Sequence, residues 1–204
     1  HYHGLWQGDF RQHEETLYYV ERMGIERVLA LDIVGTPEDP LGRSIPPEAQ
    51  RKVRRLLEEH ADRVSGLIPI DPGQPLESRR KMEDWIRDGP CVGIKYYGGN
   101  PQGLTCSHPN NDPIIELAAE LNAIIYIHSW LHVGGTPRRP GGANLPGEST
   151  PMFVAVLAGR FPEVPLICGH SGGDWQLGVR AVRSRPNVFI EFSGSDPHSG
   201  QLDF

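Results

Sequence analysis

Short, continuous apolar runs alternate with amphipathic segments along nearly the whole chain. The runs at residues 27–33, 64–70, 91–97, 123–128, 165–170 and 187–192 carry apolar side chains at successive positions, as strands buried on both faces do. Between them, Ala49, Val53, Leu56 and Leu57 follow Pro46-Pro47 at helical spacing, with charged residues on the opposite face. Ile114, Leu117, Ala118 and Leu121 repeat that spacing, and so do Trp175, Gly178, Val179 and Val182. Ser149-Thr150-Pro151 reads as the cap and first turn of a helix carrying Phe153, Val156 and Leu157, and Gly24 as the residue closing a helix before the strand at Arg27. The alternation predicts βα units wound around a parallel sheet.

His1-Tyr2-His3 adds the stub of a strand at the front, and a last helix starts near Ser199, so the count is seven strands. The expected fold is α/β, a (β/α)₈ TIM barrel forming a single domain over residues 1–204. With 204 residues, against about 250 in a typical barrel of this kind, the chain reads as cut before its eighth strand. A doubly wound open sheet is the competing architecture, because the alternation of elements is common to both.

Composition narrows the function. A hydrophobic share of 38% beside 23% charged residues belongs to a folded chain rather than a disordered one. Glycine (24) and proline (19) gather between the periodic segments, which predicts tight connections and function carried on loops. A net charge of −6 with no basic cluster argues against a nucleic-acid partner, since neutralising phosphates needs grouped Lys and Arg. No stretch is long and apolar enough for a membrane span, and the first residues do not follow the charged-then-apolar pattern of a signal segment. Cys91, Cys106 and Cys168 form no C-x-x-C pair, and their odd number suits a reducing compartment, so a cytoplasmic protein is expected. A small molecule is the expected partner, and a homodimer is left open.

The chemistry-bearing residues fall at strand ends. His1 and His3, two apart on a strand, share a face and can share one metal ion, although a chance pair in a frayed terminus looks the same. His128 and His170 each end an apolar run, where barrel enzymes hold their catalytic groups. A lone histidine there is usually structural; two of them beside a His-x-His pair predict a metal site. Lys95 interrupts a buried strand with a charge and either faces the pocket or snorkels to solvent. Gly169-His170-Ser171-Gly172-Gly173 matches a serine nucleophile elbow, with Asp174, Asp196, His198 and Asp203 as the only later partners. Gly194-Ser195-Asp196-Pro197 suits either a metal-binding aspartate or, better, a turn. The Gly- and Pro-rich stretch at 132–147 carries Arg138-Arg139, which suits an anionic substrate or plain solvent exposure. Trp6 and Trp130 can wall the pocket or simply pack.

Taken in order, His1-x-His3, the segment Met23-Gly24-Ile25-Glu26-Arg27-Val28, Gly93-Ile94-Lys95, His128 and Gly169-His170 resemble the amidohydrolase-related branch of the amidohydrolase superfamily. That branch includes amino-carboxymuconate-semialdehyde decarboxylase. The resemblance spans nearly the whole chain and implies a TIM barrel with one divalent metal, zinc first and manganese second. It implies His1, His3 and His128 as ligands and His170 as a histidine that orients or protonates at the reacting centre; Lys95, Trp6, Trp130 and Arg138 are expected toward the substrate from their own positions in the sequence. The family's remaining ligand, an aspartate after the eighth strand, is not found in this sequence. In binuclear relatives a carboxylated lysine on the fourth strand bridges two metals, and Lys95 occupies a comparable strand. The implied activity is hydrolysis of a small amide, ester or lactone by metal-activated water. Decarboxylation of a small carboxylic acid is the alternative, followed by a non-catalytic barrel or a serine hydrolase using Ser171.

Overall fold

The structure, a computed structural model, describes residues 2–3, 10–99, 102–130 and 148–192, with the backbone alone for residues 2–3 and 10–13. Seven parallel strands form one sheet: β1 (Tyr2–His3), β2 (Val28–Leu31), β3 (Val64–Pro69), β4 (Cys91–Tyr96), β5 (Ile124–Trp130), β6 (Leu166–Gly172) and β7 (Val188–Ile190). Helices α1 (Phe10–Arg22), α2 (Pro47–Glu59), α3 (Pro75–Met82), α4 (Asp112–Glu120), α5 (Pro151–Arg160) and α6 (Trp175–Val182) connect them. Each strand pairs with its neighbours in sequence, in the order β1 to β7. A doubly wound sheet reverses its strand order at a switch point, whereas this order only advances, as the wall of a (β/α)₈ barrel does.

The two faces of the sheet account for the apolar runs. Outward, Ile94, Ile125, Ile127, Leu166 and Cys168 join Val53, Leu57, Leu117, Val154 and Leu157 of the helices in the main core. Inward, Leu31, Leu67 and Tyr126 form a second, smaller cluster with Leu29, Ile124 and Ile167. On α2 the buried side chains are Val53 and Leu57, the stripe that the helical spacing predicts. No helix among the described residues is long and apolar enough to cross a membrane.

Three local expectations need correction. Strands β5 and β6 do not end at His128 and His170; they run on to Trp130 and Gly172, because pairing resumes at Trp130↔Gly172 after a register shift. Thr150 stands at the N-cap of α5 but makes no side-chain cap, and the Ser149 hydroxyl accepts the N–H of Cys106 instead. Lys95 does not snorkel: it is 1% exposed. The helix expected near Ser199 lies outside the described residues.

Candidate functional site

The side chains on one face of a strand are two residues apart, and on β5 these are Tyr126, His128 and Trp130. Register carries that face across the sheet, with Lys95 opposite Tyr126 and His128 opposite Gly169. Tyr126 belongs to the inner cluster, so the same face of β5 brings His128 and Trp130 to the barrel interior toward the C-terminal ends of the strands. Barrel enzymes carry their chemistry at this end.

His128 Nδ1 and His170 Nε2 are 3.0 Å apart, within hydrogen-bond distance, and the two rings meet edge to face with centroids 4.6 Å apart. On its other side, His128 Nε2 faces Oε1 of Glu148 at 3.8 Å, and the Glu148 side chain is only 4% exposed. Trp130 lies nearly parallel to the His128 ring at 6.3 Å and edge-on to His170 at 5.9 Å. Glu148 reaches this place because the backbone returns to the barrel there: Trp130 N–H donates to Ser149 O at 2.9 Å, and Ser149 N–H donates to Gly98 O. A Cβ on Gly98 would stand 2.8 Å from His128 Cδ2 and 3.1 Å from Glu148 Oε1, so only glycine leaves room for that pair.

Below the histidines lies a charged floor. Lys95 Nζ has no hydrogen-bond partner among the described residues and sits 4.2 Å above the Tyr126 ring. Burial pulls its pKa down to about 8, against the opposing pull of Asp32 and then Glu191. The Tyr126 hydroxyl donates to Glu191 Oε2 at 2.9 Å. Burial, with Glu191 beside it, holds that phenol far above its ordinary range, and Tyr97 is raised in the same way by burial and Asp32. An isolated cation in such a place would be prohibitively costly; two carboxylates and a ring face make it tolerable.

Of the residues singled out from sequence, the structure brings His128, His170 and Trp130 together and sets Lys95 on the adjacent strand. His3 is in β1, paired with Leu31, and its side chain is not described. His1, Trp6, Arg138, Arg139, Asp196, His198 and Asp203 lie outside the described residues. Among the described residues, no group of three or more His, Cys, Asp or Glu is arranged to hold a metal ion. Ser171 does turn sharply, with φ of 49°, but it is fully buried and its hydroxyl donates to Glu191 O. An elbow nucleophile has to be exposed. Asp174 is occupied as the N-cap of α6, accepting Leu177 N–H. Sequence reasoning missed Asp32, Glu148 and Glu191. Asp32 and Glu191 carry the same signal that singled out His128 and His170, a polar residue closing an apolar run; Glu148 carries none.

The amidohydrolase family model matches residues 40–203, and the chain belongs to that family. No curated protein sequence matches it. Among solved structures it is similar to 2,6-dihydroxybenzoate decarboxylase from Rhizobium, with 16% identity, a TM-score of 0.60, and coverage of 96% of this chain and 78% of that one. It is similar to 5-carboxyvanillate decarboxylase from Novosphingobium aromaticivorans, complexed with manganese and 4-hydroxy-3-methoxy-5-nitrobenzoic acid (16% identity, TM-score 0.59, 88% and 62% covered). A probable 2-pyrone-4,6-dicarboxylic acid hydrolase from Acinetobacter baumannii, with citric acid bound, also matches (12% identity, TM-score 0.52, 89% and 59% covered). At these identities the likeness is one of fold. The chain spans 58% to 64% of the length of several structures that it matches.

Proposed function

We propose that the chain carries much of the active site of a metal-dependent hydrolase acting on a small anionic amide, ester or lactone. The observation that supports this most is the His128–His170 pair, joined at 3.0 Å on the inner face of adjacent strands. A metal-ligating histidine commonly has its second ring nitrogen held by a partner, which fixes tautomer and orientation. His128 has that arrangement, with Nδ1 held by His170 and Nε2 turned toward a carboxylate. Imidazole and carboxylate are donors that both zinc and manganese accept, so these residues fit a divalent ion.

His128 would hold one such ion together with His1 and His3, and Glu148 faces the same nitrogen. When bound, the ion supplies a water whose pKa falls to about 7. For proton transfer with the attacking and leaving groups His170 would use Nδ1, since its Nε2 is engaged with His128 Nδ1. Trp130, against both imidazoles, shields them from solvent on one side and offers a flat surface to a planar substrate. Arg138 and Trp6 complete the substrate side in this reading, and Lys95 contributes positive charge beneath it.

Decarboxylation of a small aromatic acid is the second reading, favoured by the two hydroxylated-benzoate decarboxylases among the matching folds, one of them holding manganese. Loss of CO2 leaves a carbanion that needs one proton at carbon, and His170 would deliver it.

Elemental analysis of the full-length protein and of His128→Ala tests the core of the proposal. About one equivalent of zinc or manganese, absent from the variant, is the expected result; a folded wild type without metal would sink it. Proton release on carboxylated lactones and amides, set against CO2 release from hydroxybenzoates, then separates the two reactions.

A further inference from the structure

Residues His170, Ser171, Gly172 and Gly173 all have left-handed backbone, with φ of 59°, 49°, 77° and 74°. Glycine takes that conformation freely, but a histidine and a serine there meet steric opposition and keep it only when their surroundings impose it. The imposing groups converge on one residue. Glu191 N–H donates to Cys168 O at 3.0 Å, and Glu191 O accepts the Ser171 hydroxyl at 3.2 Å. Its Oε2 accepts both the His170 N–H and the Tyr126 hydroxyl, each at 2.9 Å.

We propose that Glu191 is a positioning residue for the reaction: its carboxylate clamps the left-handed backbone of His170 and so aims the imidazole at His128 Nδ1. The role rests on the metal-dependent reading of the site given above. One carboxylate oxygen can accept two donors, and its charge strengthens both bonds. Tyr126 holds that oxygen from the far side, across Gly169, where a Cβ would come within 2.7 Å of the Tyr126 hydroxyl. Without the carboxylate, the buried amide of His170 loses its acceptor. The backbone then relaxes toward an ordinary conformation and swings the ring off β5. The clamp thus links three consecutive strands, from β7 through β6 to the histidine on β5.

The test uses the full-length protein with Glu191→Ala, Glu191→Asp, Glu191→Gln and Tyr126→Phe, crystal structures of each, metal affinity, and kcat and KM separately. In Glu191→Ala, His170 is expected to lose its positive φ and its contact with His128. The kcat should fall at least about tenfold with KM nearly unchanged, and metal affinity should fall about 10- to 100-fold as the support of His128 is lost. Glu191→Asp, one methylene short of the amide, gives the same result and serves if the alanine variant does not fold. Glu191→Gln keeps an oxygen acceptor and retains the geometry, and Tyr126→Phe leaves the His170 bond in place. A Glu191→Ala or Glu191→Asp structure with His170 unmoved overturns the inference. If the wild type turns over none of the substrates above, the functional reading fails, while the crystallographic arm still decides the role of Glu191.

Discussion

Nε2 of His170 lies 3.0 Å from Nδ1 of His128, so one hydrogen serves both rings and the tautomer of each dictates that of the other. Replacing His170 by alanine therefore acts on His128 as well as on proton transfer. Zinc affinity, measured by calorimetric titration, should drop about 10- to 100-fold, the usual effect of removing a partner of a metal-bound imidazole. Turnover should fall by about 10²-fold or more. An unchanged affinity would mean that His128 needs no support from β6.

Gly98→Ala tests the crowding around the same ring from the β4 side. Its Cβ would lie 2.8 Å from His128 Cδ2, an atom of a ring already held on its other side by His170. Overpacking of this kind destabilises by about 1 to 3 kcal/mol. Here the displaced atoms are the imidazole and Glu148, so metal affinity should fall along with the urea midpoint. A variant that loses stability but binds metal as before would detach Gly98 from the site.

Stability should rise with pH just above neutrality. Burial lowers Lys81 to about 7 and Lys95 to about 8, both below the 10.5 of the exposed side chain. Between those values the unfolded chain binds more protons than the fold, so unfolding free energy climbs with pH through that window. The buried thiols oppose it. Cys91 and Cys106 are raised to about 12 and Cys168 to about 11, each by burial, from 9.0. Above that value the unfolded chain releases thiol protons first, and stability declines. Urea midpoints measured from pH 6 to 10 should pass through a maximum near pH 9, about where the lysine gain gives way to the cysteine loss. A steady fall from pH 7 would contradict these shifts.

Lys81→Met should loosen the connection after β2. The Lys81 ammonium donates to Val34 O and Pro40 O, each at 2.8 Å, and so ties the segment following Asp32 to α3. Removing a charged donor from two part-buried carbonyls costs about 1 to 3 kcal/mol. Hydrogen exchange should accelerate over residues 33–42 more than elsewhere, and a uniform change would argue for a global effect.

Much of this architecture was legible in the sequence because a strand covered on both faces must be largely apolar, as β3, with Ser65 its one polar side chain, and the core of β5 are. The pairing of Tyr126, His128 and Trp130 on one face follows from period two alone. Other features depend on contacts that no local pattern encodes. Gly169 to Gly173 reads equally well as a serine elbow or as the bend that carries His170, and only the burial of Ser171 separates the two. Asp32 and Glu191 look like ordinary strand-end acids until Lys95 is seen buried close to them. Glu148 became visible only through Ser149, whose backbone bonds join it to Trp130 and Gly98, far away in sequence.

Those two bonds also bear on how such a protein can diversify. Trp130 and Ser149 are tied at the base, so what is inserted between them changes the entropy of closure only with the logarithm of its length. The bonds use backbone atoms alone, so substitutions at Trp130 or Ser149 can change what faces the paired imidazoles without releasing the chain that carries Glu148.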